Sequence, residues 1–303
     1  MIDPMHIQAA SIGEAVPRER FEAAVQSVFD TAVNLRLTGE DRLITVLISN
    51  RYELPQGIRI EAKNAPLQTL SVGQRASARD GILRFDASPL TVDLRNAPVW
   101  ICRVRKLGTD MKSTAVRQAW SAASEILNHE QKLKRTDIVA DDLLQPDAGS
   151  ALSRRMSDPV RRLISSAAQF DLENAIPSAE QMIGLGPGVT PSGDDILLGV
   201  LAGLWSTARG DQHKMDFLRS FRDALIPLKV QTSEISRTYL YHAAHGQFSS
   251  SLSHLAEAIA QGGQVEAAFD EAARIGHSSG TDSVTGLLIG LCIWGTESPL
   301  PAP

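Results

Sequence analysis

Two short polar stretches hold most of the residues in this chain that could do chemistry: GLGPGVTPSGDD at 184–195 and GHSSGTD at 276–282. The first packs four glycines and two prolines into twelve residues. Glycine lets another group approach the backbone closely, and proline limits the freedom of the loop. Each stretch runs into an apolar segment and reads as a helix start, where free amides and the positive end of the dipole suit a phosphate or a carboxylate. The candidate substrate-binding residues are therefore Gly186, Gly188, Thr190, Ser192 and Gly193 in the first stretch, and Ser278, Ser279, Gly280 and Thr281 in the second. Asp194, Asp195 and Asp282 are the candidate catalytic carboxylates. They would repel a bare anion unless a divalent cation lay between, or unless a carboxylate were engaged in capping. Magnesium on these three aspartates, with the hard oxygen ligands it prefers, is one arrangement the residues allow, although nothing in the sequence requires a cofactor. The plainer reading of Asp195 and Asp282 is helix capping alone. His277, directly before the second start, is the histidine best placed to act as a general acid or base, against the plainer reading of an exposed loop residue.

The two stretches belong to a short internal repeat. Laying PSGDDILLGVLAGL (191–204) over SSGTDSVTGLLIGL (278–291) matches seven of fourteen positions without a gap, among them Ser192 with Ser279, Asp195 with Asp282, Gly199 with Gly286 and Gly203 with Gly290. In each copy a serine stands three residues before an aspartate, the spacing of a capping box. Each copy also carries glycines four apart, which cost about 1 kcal/mol each relative to alanine inside a helix. Close backbone contact is the simplest compensation. The sequence therefore predicts that the two helices cross at their glycine faces and bring Asp195 and Asp282 toward a common region.

Other polar groups have plainer explanations. His242 and His245, three apart on a predicted helix, lack an evident third metal ligand. Thr232, Ser233 and Ser236 cluster at one helix start, where capping explains them as well as a place in a pocket wall. Arg154, Arg155, Arg161 and Arg162 read as a solvated helix face, from which one arginine could turn inward to meet an anion.

The elements that must position these residues change character along the chain. Between about residues 41 and 103 apolar residues alternate, as in Ile58 and Ile60 around Arg59 and Leu90, Val92 and Leu94 around Thr91 and Asp93, and period two means strands. Turn-forming stretches at Leu54 to Gly57, Asn64 to Pro66 and Arg79 to Gly81 separate them. One helix is expected around Glu19 to Val33. After about residue 108 the period becomes helical, as in Val116, Ala119, Trp120, Ala123, Ile126 and Leu127, and eight to ten helices are expected with almost no strand. The expected fold is α+β: a mainly antiparallel sheet or barrel over residues 1–107, then a larger all-α domain over 108–303 that carries the glycine-rich site. The proline-rich tail, Ser298 to Pro303, does not continue a helix.

With 303 residues, 43% of them hydrophobic, the chain can bury a sizeable core. Its net charge of -5 and the lack of a basic run give a nucleic-acid partner no electrostatic support. The longest nearly unbroken apolar run, Ile196 to Trp205, is short of a membrane span. The N-terminal residues do not pair a basic segment with an apolar one, and Cys102 and Cys292 lack metal spacing, so a cytoplasmic location and two core cysteines are expected.

GLGPGVTPSGDD, the apolar helix after it and GHSSGTDS together resemble the bacterial AllH family, subunits associated with oxamate carbamoyltransferase. The resemblance extends over most of the chain, with the first hundred residues matching in general character. It implies a part in the phosphorolysis of oxalurate to oxamate and carbamoyl phosphate in anaerobic allantoin (purine) catabolism, within a multi-subunit complex that includes FdrA-type and other subunits. It carries no assignment of catalytic residues. The function expected is a subunit of a carbamoyltransferase-like complex that binds a small anionic metabolite of the carbamoyl phosphate, oxamate or oxalurate class at the paired helix starts. Two alternatives stand beside it. One is a stand-alone Mg-dependent hydrolase of the ADP-ribosylglycohydrolase type, and the other is a non-catalytic small-molecule-binding scaffold.

Overall fold

A computed structural model describes residues 5–295 apart from 51, 63–65, 135, 146 and 229–230. The chain divides into two compact units, Met1–Cys102 and Arg103–Pro303.

The first unit is built from β1 (Met5–Gly13), β2 (Phe21–Val28), β3 (Ala32–Leu37), β4 (Leu43–Ile48), β5 (Gly57–Ile60), β6 (Arg75–Arg79), β7 (Ile82–Phe85), β8 (Leu90–Asp93) and β9 (Val99–Trp100). The strands run β5-β4-β3-β2-β6-β7-β8-β1, and β1 pairs back onto β5, so eight of them close into a barrel with β9 added beside β1. Most neighbours are antiparallel; β4 with β5, β1 with β8 and β1 with β9 are parallel. An eight-stranded barrel is just wide enough for side chains to fill, and Val33, Leu35, Val46, Ile58, Leu83 and Val92 fill this one. Between β6 and β7 the expected turn at Arg79 to Gly81 forms: Asp80 and Gly81 both take positive φ, as a two-residue hairpin of matching twist requires. The turn at Leu54 to Gly57 also forms, closed by the Gly57 amide on the Leu54 carbonyl at 3.0 Å. Asn64 lies outside the described residues.

The helix expected around Glu19 to Val33 is instead the β2–β3 hairpin. Phe21, Ala23 and Val25 are buried alternately and face the barrel core. Cross-strand pairing overrides a local pattern that also fits a helical period. Strands thus begin at Met5, well before residue 41.

Among the described residues the second unit holds ten α-helices: α1 (Thr114–Lys134), α2 (Ala140–Leu143), α3 (Ala151–Ala168), α4 (Leu172–Met182), α5 (Ser192–Thr207), α6 (Gln212–Leu228), α7 (Glu234–Ala244), α8 (Ser250–Ala260), α9 (Glu266–Ala273) and α10 (Ser279–Ile293). The fold is α+β, as the periodicities predict. α5 and α10 are buried on nearly every side, and the other helices show one apolar face, so these two form the unit's axis. Among the described residues, no helix is long and apolar enough to cross a membrane. Cys102 and Cys292 are both buried, and neither forms a disulfide among the described residues. The tail from residue 296 lies outside the described residues.

Candidate functional site

The glycines of α5 and α10 decide how the site is assembled. A Cβ on Gly199 would stand 2.0 Å from the Ser283 carbonyl oxygen, and one on Gly286 would stand 2.0 Å from that of Ile196. Gly203 and Gly290 face each other a turn further along. The helices therefore cross backbone to backbone through their matched glycines, and no larger residue fits at the crossing. This contact draws the two helix starts together. Thr190 Oγ1 lies 2.7 Å from Ser279 Oγ, joining the glycine-rich loop before α5 to the first residue of α10.

Ser192 and Ser279 do not cap their own helices. Pro191 and Ser278 occupy the cap positions, and neither contributes a side-chain hydrogen bond there. Each serine instead lies near enough to the other helix's aspartate to influence its titration, Ser279 that of Asp195 and Ser192 that of Asp282. The aspartates are 5% and 1% exposed. Burial raises the Asp195 carboxyl well above the usual carboxylate range; the Ser279 hydroxyl opposes that rise, and the Asp282 charge adds to it. Burial pushes Asp282 up to about 7, against the Ser192 and Ser278 hydroxyls and with help from the Asp137 charge. Those hydroxyls stand outside hydrogen-bonding geometry, so neither oxygen of Asp282, nor Oδ2 of Asp195, has a hydrogen-bond partner among the described residues. Buried polar atoms without partners are uncommon in folded proteins, and these sit where the two repeats meet.

Asp194 is differently placed. Its Oδ1 accepts from the Gly184 amide at 2.8 Å and its Oδ2 from the Thr232 hydroxyl at 2.5 Å, so it ties the loop to the segment before α7. Burial raises its pKa, while Thr232 and Gly184 oppose the rise. Among the described residues no three His, Cys, Asp or Glu side chains converge as a ligand set. A magnesium ion would meet open oxygens on Asp195 and Asp282, but would have to displace Thr232 or Gly184 to recruit Asp194.

The loop leaves backbone amides available. Those of Gly186, Gly188 and Thr190 make no hydrogen bond among the described residues, whereas those of Gly193 and Gly280 donate to the Leu185 and Ile275 carbonyls at 2.8 and 2.9 Å. Gly186 takes φ +124, and a Cβ there would collide with the Ser192 amide at 2.8 Å, so only glycine lets the loop lie on this helix start. Gly276 covers Ser279 in the second copy. Thr281 donates to the Ser278 carbonyl at 2.8 Å, a local bond within the turn. His277 is exposed in the turn before α10.

Residues outside both motifs complete the site. Tyr239 of α7 sits beside Asp195; burial, and then that charge, push its phenol up to about 12. Ser233 caps α7 in the ordinary way, accepting from the Ser236 amide at 3.1 Å. Beside the loop, Asp137, Ser150, Arg155, Gly184, Gly186 and Pro187 line an open cleft of about 510 Å³. Arg155 is the member of the basic cluster that faces this cleft; Arg154 donates to the Gly149 carbonyl and Arg162 to Gln181. Of these residues, sequence reasoning weighed Thr232 and the arginines but not Asp137 or Tyr239, which no local spacing singles out.

No solved structure matches the chain. Two family matches do. The family described as oxamate carbamoyltransferase subunit AllH matches residues 182–291, from the end of α4 through most of α10, and so contains both polar stretches and the crossing. The AllH family N-terminal domain matches residues 6–99, nearly the whole barrel. With about two thirds of its length covered by these matches, the chain belongs to the AllH family.

Proposed function

We propose that this chain binds a small anionic substrate, of the oxamate, oxalurate or carbamoyl phosphate class, where α5 and α10 begin, as a subunit of an oxamate carbamoyltransferase complex. The observation that carries the reading is the Asp282 carboxyl, 1% exposed and without a hydrogen-bond partner among the described residues, at the junction of the two repeats. The family, described as an oxamate carbamoyltransferase subunit, supports the reaction class.

In the direction of phosphorolysis, a phosphate oxygen attacks the carbamoyl carbon of oxalurate. The C–N bond then breaks, and the departing nitrogen needs a proton to leave as the amide of oxamate. Asp282, with a pKa raised to about 7, holds that proton near neutral pH and can release it. In the reverse direction its carboxylate takes the proton back. Burial also raises the Asp195 carboxyl well above the usual carboxylate range, which favours its neutral form, the form able to donate to a substrate oxygen. The upward shifts of both carboxyls lessen the electrostatic objection to an acidic anion site, since a protonated aspartate does not repel the ligand. The open amides of Gly186, Gly188 and Thr190 and the hydroxyls of Thr190, Ser192, Ser278 and Ser279 are the donors for the anion's oxygens. The partners proposed are FdrA-type and further subunits, and the compartment proposed is the cytoplasm.

Co-expression with gene-neighbour subunits tests this reading. Phosphate-dependent formation of carbamoyl phosphate from oxalurate is expected only when this chain is present, and Asp195→Ala is expected to weaken it about 10²-fold or more, the scale of a lost acid or donor. Full turnover by the remaining subunits without this chain would reject it.

A further inference from the structure

The cleft beside the glycine-rich loop has a composition that the helix starts alone do not explain. One wall is the start of α3, with Ser150 and Arg155; the other is Gly184 to Pro187; Asp137 closes it. Asp137 is held in place through its backbone, because its carbonyl accepts from Ser150 Oγ at 2.5 Å and from Ser153 Oγ at 2.9 Å. Its carboxylate and the Arg155 guanidinium are both exposed and form no hydrogen bond or ion pair among the described residues. The cleft therefore offers one cationic donor and one anionic acceptor that do not satisfy each other. Asp137 is also near enough to Asp282 for its charge to act on that carboxyl, which makes the cleft continuous in its electrostatics with the unpartnered acid at the helix crossing.

We propose that this cleft is the subsite for the non-transferred half of the substrate and selects a carboxylate that also bears an amide, Arg155 gripping the carboxylate and Asp137 accepting from the amide N–H. The proposal rests on the function given above and assigns the two ends of that ligand. A guanidinium meets a planar carboxylate with two parallel hydrogen bonds. Asp137 has the opposite preference: it accepts from an amide and repels a second negative charge. A dianion of the same size, with a carboxylate where the amide would be, places that charge against Asp137. The discrimination thus comes from a repulsive element as well as an attractive one. The transferred carbamoyl group then lies toward Ser192, Ser279 and Asp282.

Calorimetric titration of the full chain with oxamate and with oxalate reads this out, since the two differ only in amide against carboxylate. The wild type is expected to prefer oxamate. Arg155→Ala should weaken both ligands by about 10- to 100-fold, the range of a lost charged hydrogen-bond pair. Asp137→Asn should raise oxalate affinity toward that for oxamate. Circular dichroism of each variant checks the fold, and both positions are exposed, so neither substitution disturbs a core. If Arg155→Ala and Asp137→Asn bind both ligands as the wild type does while Asp282→Asn loses oxamate, the helix-start site stands and the cleft assignment is overturned. If the wild type binds neither ligand, both readings fall together.

Discussion

Replacing Asp282 with asparagine separates a carboxyl kept for chemistry from one kept for stability. The side chain is 1% exposed, and its pKa rises from 3.8 to about 7 on folding. Between those pH values the folded chain holds a proton that the unfolded chain has released, so stability falls as pH rises from about 3.8 to about 7 and then levels off. At ~1.4 kcal/mol per unit, the loss attached to this one group is about 4 kcal/mol. Asparagine has nearly the same shape and no charge to lose. Relative to wild type, Asp282→Asn should therefore gain up to about 4 kcal/mol of stability between pH 4 and pH 8 while losing catalytic activity in the assembled complex, the pattern of a site that trades stability for function. Urea unfolding followed by tryptophan fluorescence suits the measurement, because Trp120, Trp205 and Trp294 lie in the helical unit and only Trp100 in the barrel unit. Taking the difference between variant and wild type at each pH cancels the other titrating groups. A difference that stays flat from pH 4 to pH 8 would mean that Asp282 titrates normally, and the argument for its role as proton carrier would be lost.

Other consequences are open to simpler tests. Gly286→Ala should destabilise the chain by about 2–4 kcal/mol in denaturant melts, through overpacking at the crossing, where an ordinary helix would gain about 1 kcal/mol from the same change; a gain would show that the helices need not touch there. Thr232→Val removes the hydroxyl that donates to Asp194 at 2.5 Å and should cost about 1–3 kcal/mol of stability. Because the Thr232 hydrogen bond favours the charged form of Asp194, the deficit of the variant should grow as pH rises; a deficit equal at all pH values would argue against that. A Cβ on Gly81, at φ +71, would stand 2.5 Å from Arg95 Cγ, so Gly81→Ala should lower barrel stability by about 1 kcal/mol or more, read by circular dichroism of the variant.

The helical architecture and the crossing could be read from the sequence because both leave a local trace. Glycines at 199, 203, 286 and 290 lie on a stripe where alanine would be preferred, and only backbone contact compensates for them. The serine–aspartate spacing was legible too, but its meaning was not: it suggests a cap within each helix, whereas neither serine caps its helix and Ser279 instead meets Thr190 of the other repeat's loop. That meeting depends on the crossing angle, which no short window of sequence encodes. The β2–β3 hairpin escaped for a related reason. Phe21 to Val28 reads equally as a helical or a stranded pattern until β6 and β3 are there to pair with it. Asp137 and Tyr239 come from separate stretches whose neighbourhoods do not distinguish them from ordinary surface or core residues, and the basic cluster could mark Arg155 only as one of four arginines.

The bond between Thr190 and Ser279 has a temporal consequence. Thr190 and Ser279 are 89 residues apart, so neither repeat can finish its own half of the site. Contacts of such long range are entropically costly to close and form late. During synthesis α10 must emerge before the two helix starts can meet, and a product cut short before α10 would lack the crossing that brings Thr190 and Ser279 together.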